Sequence, residues 1–278
     1  GVQLISVDGL NLKYLFYFLT QVKIENSDEY ERHFKYLKNE NIPVPEKNIQ
    51  EAIVRECEVI DEYVKSAFID IKNLKKKIRN IIENISYPIT SLIKIAKINP
   101  PKSELKSFFD DMLVSFVDMA SVSESGVILN RDSRMLGTLR KGGYTYFAED
   151  DILIAKITPC MENGKCALAT GLENGIGMGS TEFHVIRADK ERVLPAFLFK
   201  LLNREEIRQR AAQVMTGSSG HRRVPASFYE SLEVPLPPLS EQSVLVAQFE
   251  ALEKQIADAQ SVIDGAAARK QAILEKYL

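Results

Sequence analysis

Two stretches of this chain carry a seven-residue apolar repeat long enough to dictate a pair of helical rods. Within residues 235–278, Leu245, Leu252, Ala259, Ala266 and Ile273 make one series, and Phe249, Ile256, Ile263, Lys270 and Tyr277 make the other. Within residues 46–86, Ile53, Ile60, Ala67, Leu74 and Ile81 run beside Cys57, Val64, Ile71, Ile78 and Ile85. Side chains at this period line one seam of a helix, and that seam buries itself against another helix in a left-handed coil. At about 1.5 Å per residue the C-terminal rod would be on the order of 55–60 Å long. Each rod is the other's natural partner.

The lead-ins are duplicated too. Ile42-Pro43-Val44-Pro45-Glu46-Lys47-Asn48-Ile49-Gln50 echoes Val234-Pro235-Leu236-Pro237-Pro238-Leu239-Ser240-Glu241-Gln242. Proline has no N–H to give a helix interior, so these segments sit before the rods, with Ser240 the expected N-cap of the second. Further upstream, Leu12-Lys13-Tyr14-Leu15-Phe16-Tyr17-Phe18-Leu19 resembles Pro195-Ala196-Phe197-Leu198-Phe199-Lys200-Leu201-Leu202. Self-similarity of this kind sets the organisation: the end of one unit and a connector (1–45), a spacer helix (46–86), a whole second unit (87–237) and a second spacer helix (238–278). With no initiator Met and Gly1 opening in mid-unit, the chain reads as an expressed fragment or a processed piece.

Between the rods the pattern changes from period 3.6 to short apolar runs broken by turn residues. Strands are expected at 112–119, 151–157, 165–169 and 181–187, and an edge at 142–147. Glycine-rich turns are expected over 171–179, and helices at 195–202 and 204–215. A further strand is expected at 2–7. The fold class is therefore mixed α+β: a globular domain with a short-stranded sheet and helices, plus two long helices forming a coiled coil. Hydrophobic residues make up 45% and net charge is −2, values of an ordinary globular protein that does not grip nucleic acid unaided over a wide surface. No apolar run approaches a membrane span, and residues 10–19 are interrupted by Asn11 and Lys13. Cys57, Cys160 and Cys166 make no disulfide framework and point to a reducing compartment.

An ordered set of pieces in this layout is similar to the DNA-specificity subunit of type I restriction-modification systems. They are Glu149-Asp150-Asp151-Ile152-Leu153-Ile154-Ala155-Lys156-Ile157-Thr158-Pro159, then Gly164-Lys165, Gly179-Ser180-Thr181-Glu182-Phe183, Thr216-Gly217-Ser218-Ser219-Gly220-His221-Arg222-Arg223, and 234–242 before a long helix. The resemblance covers nearly all of the chain. It implies two target-recognition domains held apart by two antiparallel helices, each domain reading half of a bipartite double-stranded DNA site. Here one recognition domain (87–237) is complete, and a homodimer of such a fragment would restore two. The resemblance also implies that adenine methyltransferase subunits dock on the helices and bind the methyl donor S-adenosylmethionine. An endonuclease–translocase subunit joins in such systems, which work in the cytoplasm of prokaryotic cells. This chain itself is expected to be non-catalytic and to hold no cofactor.

The residues are consistent with that without the name. The loop Gly217-Ser218-Ser219-Gly220 presents backbone N–H groups as phosphate-binding nests do. His221, Arg222 and Arg223 follow it, and the two arginines suit a phosphate or the O6/N7 edge of guanine; surface or intramolecular ion pairs are the competing role. Lys156, Thr158, Asn163 and Lys165 flank the turn Pro159-Cys160-Met161-Glu162 at a strand end, where a base-reading loop could sit.

Several patterns carry less than they suggest. Asn99-Pro100-Pro101-Lys102 has the outline of an adenine-methyltransferase motif, but its fourth residue is not the aromatic that stacks on a flipped base. Cys160 and Cys166 lack the spacing of a zinc site. Asp150 and Asp151 read as a solvated turn, His184 as a packed or hydrogen-bonded strand residue, and His33 as surface. The alternation of Gly175, Gly177 and Gly179 lacks a βαβ context for nucleotide binding. The run Lys75-Lys76-Lys77 reads as a solvated helix face. Two rival functions remain: the targeting end of a fused adenine DNA methyltransferase, and a coiled-coil scaffold that binds protein.

Overall fold

The computed structural model describes residues 8–22, 41–218 and 220–278; the strand expected at 2–7, His33 and Ser219 lie outside them. Its elements run, in chain order, α1 (Leu12–Gln21), α2 (Lys47–Glu83), β1 (Ile89–Ser91), β2 (Ala96–Ile98), β3 (Leu113–Val117), β4 (Asp132–Met135), α3 (Leu136–Arg140), β5 (Thr145–Ala148), β6 (Ile152–Ala155) and β7 (Cys166–Leu168). They continue with β8 (Ile176–Gly179), β9 (Phe183–Ala188), α4 (Pro195–Leu202), α5 (Glu205–Gln213), α6 (Ala226–Glu230), β10 (Glu233–Pro235), α7 (Leu239–Asp264) and α8 (Ala266–Tyr277). Two compact units divide the chain: Gly1–Asn80 with Glu250–Leu278, and Ile81–Phe249. Among the described residues no helix is long and apolar enough to cross a membrane.

In the first unit the heptad seam is what the helices bury. Ile53, Cys57, Ala67 and Ile71 of α2 are buried, as is Leu252 of α7, and the remaining seam positions within this unit are half-buried, while Lys75, Lys76 and Lys77 face solvent. Glu56 meets Lys276 and the Tyr277 hydroxyl, and Asp61 meets Lys270. Leu74 lies beside Ala259 across a shared groove. Numbers rise along α2 as they fall along its partner, so the pair is antiparallel. α1 completes the packing by laying Tyr14 and Tyr17 on Ile53, Val54, Cys57 and Leu274.

The two rods differ from expectation at their ends. The second helix begins at Leu239 and not after Ser240: the amides of Glu241 and Gln242 both donate to the Pro238 carbonyl at 3.0 Å, so Ser240 lies inside the first turn. The first uses the equivalent carbonyl of Glu46, 2.9 Å from the Ile49 amide. Gly265, with helical φ and ψ, is the only residue between α7 and α8, and hydrogen bonds cross it on both sides. The duplicated lead-ins also share one device. Gln50 and Gln242, both fully buried, each place the side-chain amide at the start of a helix. Gln50 donates to the Gly9 and Pro45 carbonyls and accepts from the Asn11 amide, each at 2.8 Å. Gln242 donates to Arg192 (3.1 Å) and Pro237 (2.8 Å) and accepts from the Leu194 amide (2.8 Å).

In the second unit the short strands divide between two four-stranded sheets, β4-β3-β8-β5 and β2-β9-β6-β7, and a ribbon of β1 with β10. The period of two assigns the faces. Val117, Phe147, Leu153, Ala167, Phe183 and Val185 meet between the sheets in one core. Val114, Phe116, Tyr146, Ile176 and Met178 face the other way, covered by Leu105, Leu136 and Leu139. Where glycine-rich turns were expected, residues 176–179 instead form β8, an inner strand pairing parallel to β3 and antiparallel to β5. Its glycines serve close approach: a Cβ on Gly177 would enter the Phe147 ring, and one on Gly179 would meet the Val117 carbonyl.

Candidate functional site

The two candidate loops come together at the end of β6. Beyond Ala155 the Lys156 amide donates to the Glu182 carbonyl at 2.9 Å, and the Lys156 carbonyl accepts from the Val224 amide at 2.9 Å. Ile157 forms a bridge with Arg223, and the Thr158 amide donates to the Arg222 carbonyl at 3.0 Å. The Thr158–Pro159 peptide is cis. The 156–165 loop then closes on itself through Met161 to Ile157, Asn163 to Pro159 and Lys165 to Cys160 bonds of 2.9–3.0 Å, with Gly164 at φ +85°. The other loop is a tight turn: Thr216 and Arg223 exchange both backbone bonds, and His221 donates to the Ser218 carbonyl. Gly217 has φ +121° with no room for a Cβ beside the His221 carbonyl, so glycine is required there. The amides of Gly217, Ser218 and Gly220 have no protein acceptor among the described residues.

The candidate side chains separate once placed. Arg222 reaches Glu162 through one Nη2 bond of 3.2 Å, its side chain 43% exposed. Arg223 is held by both Glu182 oxygens, Nη2 at 2.7 Å and Nε at 2.9 Å, while Nη1 donates to the His221 carbonyl at 3.1 Å. The Arg223 bond holds the Glu182 carboxyl below its usual range, and Glu182 in turn raises the Arg223 pKa. Lys156 is half-buried beside them with no side-chain partner among the described residues. Asn163, His221, Ser218 and Gly220 are exposed. Thr158 leans on the Met215 sulfur at 3.8 Å. Lys165 turns inward, its amine on the Met119 carbonyl at 2.9 Å. The carboxylates of Glu162 and Glu182 are the partners that sequence reasoning passed over. Glu182 stood within a quoted motif, yet nothing in its spacing announces Arg223.

The other patterns have structural employment. His184 is buried, with Nε2 donating to the Val224 carbonyl (2.8 Å) and Nδ1 accepting from the Asn99 side chain (3.2 Å); desolvation lowers its pKa. Asn99, at φ +51°, also pairs with the Val185 backbone, so this asparagine pins a strand. Asp151 is no solvated turn residue: it is fully buried, accepts from the Ala148 amide and takes Arg187 on both oxygens at 2.7 Å. Burial pushes the Cys57 thiol up to about 11 and the Cys166 thiol up to about 12, while Cys160 is partly exposed. Among the described residues no three His, Cys, Asp or Glu side chains are placed to share a metal ion.

Comparison with known proteins places the chain in one family. Residues 124–263 match the model of the type I restriction modification DNA specificity domain. Over 160 residues, 58% of this chain, the sequence is 39% identical to the EcoAI specificity subunit of a type I restriction enzyme from Escherichia coli. Over 163 residues it is 37% identical to the EcoEI specificity subunit from the same organism. Each match spans 27% of the relative, so the chain aligns with about a quarter of the length of the curated relatives it matches. The fold is shared with the HsdS subunit from Thermoanaerobacter tengcongensis, at TM-score 0.53 and 17% identity over 95% of this chain and 69% of that one. With half of its length inside the family model, the chain belongs to the type I restriction modification DNA specificity family.

Proposed function

We propose that this chain is the non-catalytic sequence-reading part of a type I restriction-modification complex and that its second unit reads one half of a bipartite double-stranded DNA site. The reading is carried by the lacing of loops 156–165 and 216–223 through the Ile157–Arg223 bridge, which gathers Lys156, Arg222 and open backbone amides on one edge. Cations and free N–H groups grouped in this way fit phosphate oxygens and guanine edges. The antiparallel rods act as a ruler between half-sites, since an apolar seam fixes helix register. Their outward faces dock adenine methyltransferase subunits, which supply the methyl-donor site and the chemistry. A net charge of −2 fits this division, because partner subunits then provide much of the phosphate grip. The complex works in the prokaryotic cytoplasm.

The test is a methylome comparison of host cells carrying the intact gene, the Arg222→Ala/Arg223→Ala double variant, and a deletion. Loss of one bipartite adenine-methylated motif in the deletion supports targeting, and its loss in the double variant as well supports the loops. A methylome unchanged by deletion overturns the reading.

A further inference from the structure

Adjacent arginines in one loop invite the assumption of one shared task, and their surroundings argue otherwise. Arg223 has a partner on each of its three nitrogens. Both Glu182 oxygens and the His221 carbonyl take its Nε, Nη2 and Nη1. A bidentate, charge-assisted pair of this kind is both stronger and more specific in direction than a single bond. Arg222 has one long bond, 3.2 Å to Glu162, and neither its Nε nor its Nη1 has a partner among the described residues. Glu182 also ties the first loop, because its carbonyl receives the Lys156 amide. One residue therefore holds both loops: backbone to Lys156, carboxylate to Arg223.

We propose that Arg222 is the cation that meets DNA, whereas Arg223 is a positioning residue that locks the two loops together through Glu182. The inference rests on the DNA-reading role proposed above. Were Arg223 to leave for a phosphate, it would abandon a carboxylate only 23% exposed, directly beside an incoming anion. Like charges brought together in that way oppose binding. Arg222 faces a smaller penalty, since releasing Glu162 breaks a single 3.2 Å contact and leaves a carboxylate that is 31% exposed.

The experiment follows DNA binding by the tagged chain, co-purified with its host methyltransferase subunits, to a labelled mixed-sequence duplex between about 50 and 200 mM KCl. Removing the cation from one phosphate flattens the slope of log affinity against log salt by about 0.9. Arg222→Ala should flatten the slope by about that amount. Arg223→Ala should leave the slope unchanged, and Glu182→Gln and the Arg223→Ala/Glu182→Gln double variant should match it. The reciprocal exchange Arg223→Glu with Glu182→Arg should restore affinity to within about threefold of the parent, where Arg223→Glu alone loses tenfold or more. A positioning pair survives that exchange, and a cation bound to phosphate does not.

Flattening of the slope in Arg223→Ala overturns the division of roles, as does failure of the exchange in protein that melts like the parent. An exchange variant that does not fold leaves the Arg223→Ala slope to decide. Absence of any salt-dependent binding by the parent complex would instead remove the DNA-reading role itself.

Discussion

At the scale of single residues, the second unit is held together by buried polar side chains. His184 is the clearest case. Its neutral ring bridges the Val224 carbonyl and Asn99, with Lys156 and Glu182 as the nearby charges. A histidine whose folded pKa is lowered binds its proton more readily in the unfolded chain, so stability falls as pH drops below the unfolded value of about 6.5. Urea unfolding measured between pH 7.5 and 5 should show this decline. His184→Gln, which keeps a donor for Val224 and an acceptor for Asn99, should flatten it. Gly177→Ala makes the complementary point about size: its methyl group would sit in the Phe147 ring, and overpacking of this kind typically costs about 1–3 kcal/mol, read as a lower urea midpoint with unchanged slope.

Among the elements, the rods were legible because a seven-residue repeat survives any tertiary context that pairs two helices. The seam residues Ile53, Cys57, Ala67 and Ile71 are buried as the pattern requires. β8 was not legible, because a strand of alternating glycines has no side chains on one face to announce it. Its partner Phe147 supplies the missing volume from the next strand. The site was half legible for a similar reason. Sequence order sets Arg222 beside Arg223, but the Glu162 and Glu182 carboxylates that distinguish them are brought up from 60 and 41 residues away. The two glutamine clamps give the test at this scale. Gln242→Ala orphans the Leu194 amide and the Arg192 and Pro237 carbonyls, and each buried unsatisfied group costs about 1–3 kcal/mol. Chemical denaturation of Gln242→Ala and Gln50→Ala should show comparable losses. Glu at either position should do no better than Ala, because it sets an anion against two carbonyls.

For the whole molecule, a net charge of −2 fits the proposed division of labour, in which a few residues of the second unit read DNA and partner subunits supply the rest of the grip. The way that unit is strung on the chain has a separate consequence. β1 and β10 pair antiparallel, with Ile89 opposite Pro235 and the Leu236 amide on the Pro88 carbonyl at 3.1 Å. Entry and exit therefore lie one strand spacing apart, about 4.8 Å, and the segment between them is tied at its ends by this ribbon and, further in, by Gln242 on Arg192 and Leu194. Closing so small a gap with a short turn costs little chain entropy. The intervening segment is thus a cassette: chains in which residues 90–234 are swapped for those of a family member that keeps the backbone partners of Gln242 at 192 and 194 should still form the helical hairpin, seen as retained helical circular dichroism and a single cooperative melt. On the proposed function, variation in the DNA read can then accumulate in the cassette while the rods that carry it stay the same.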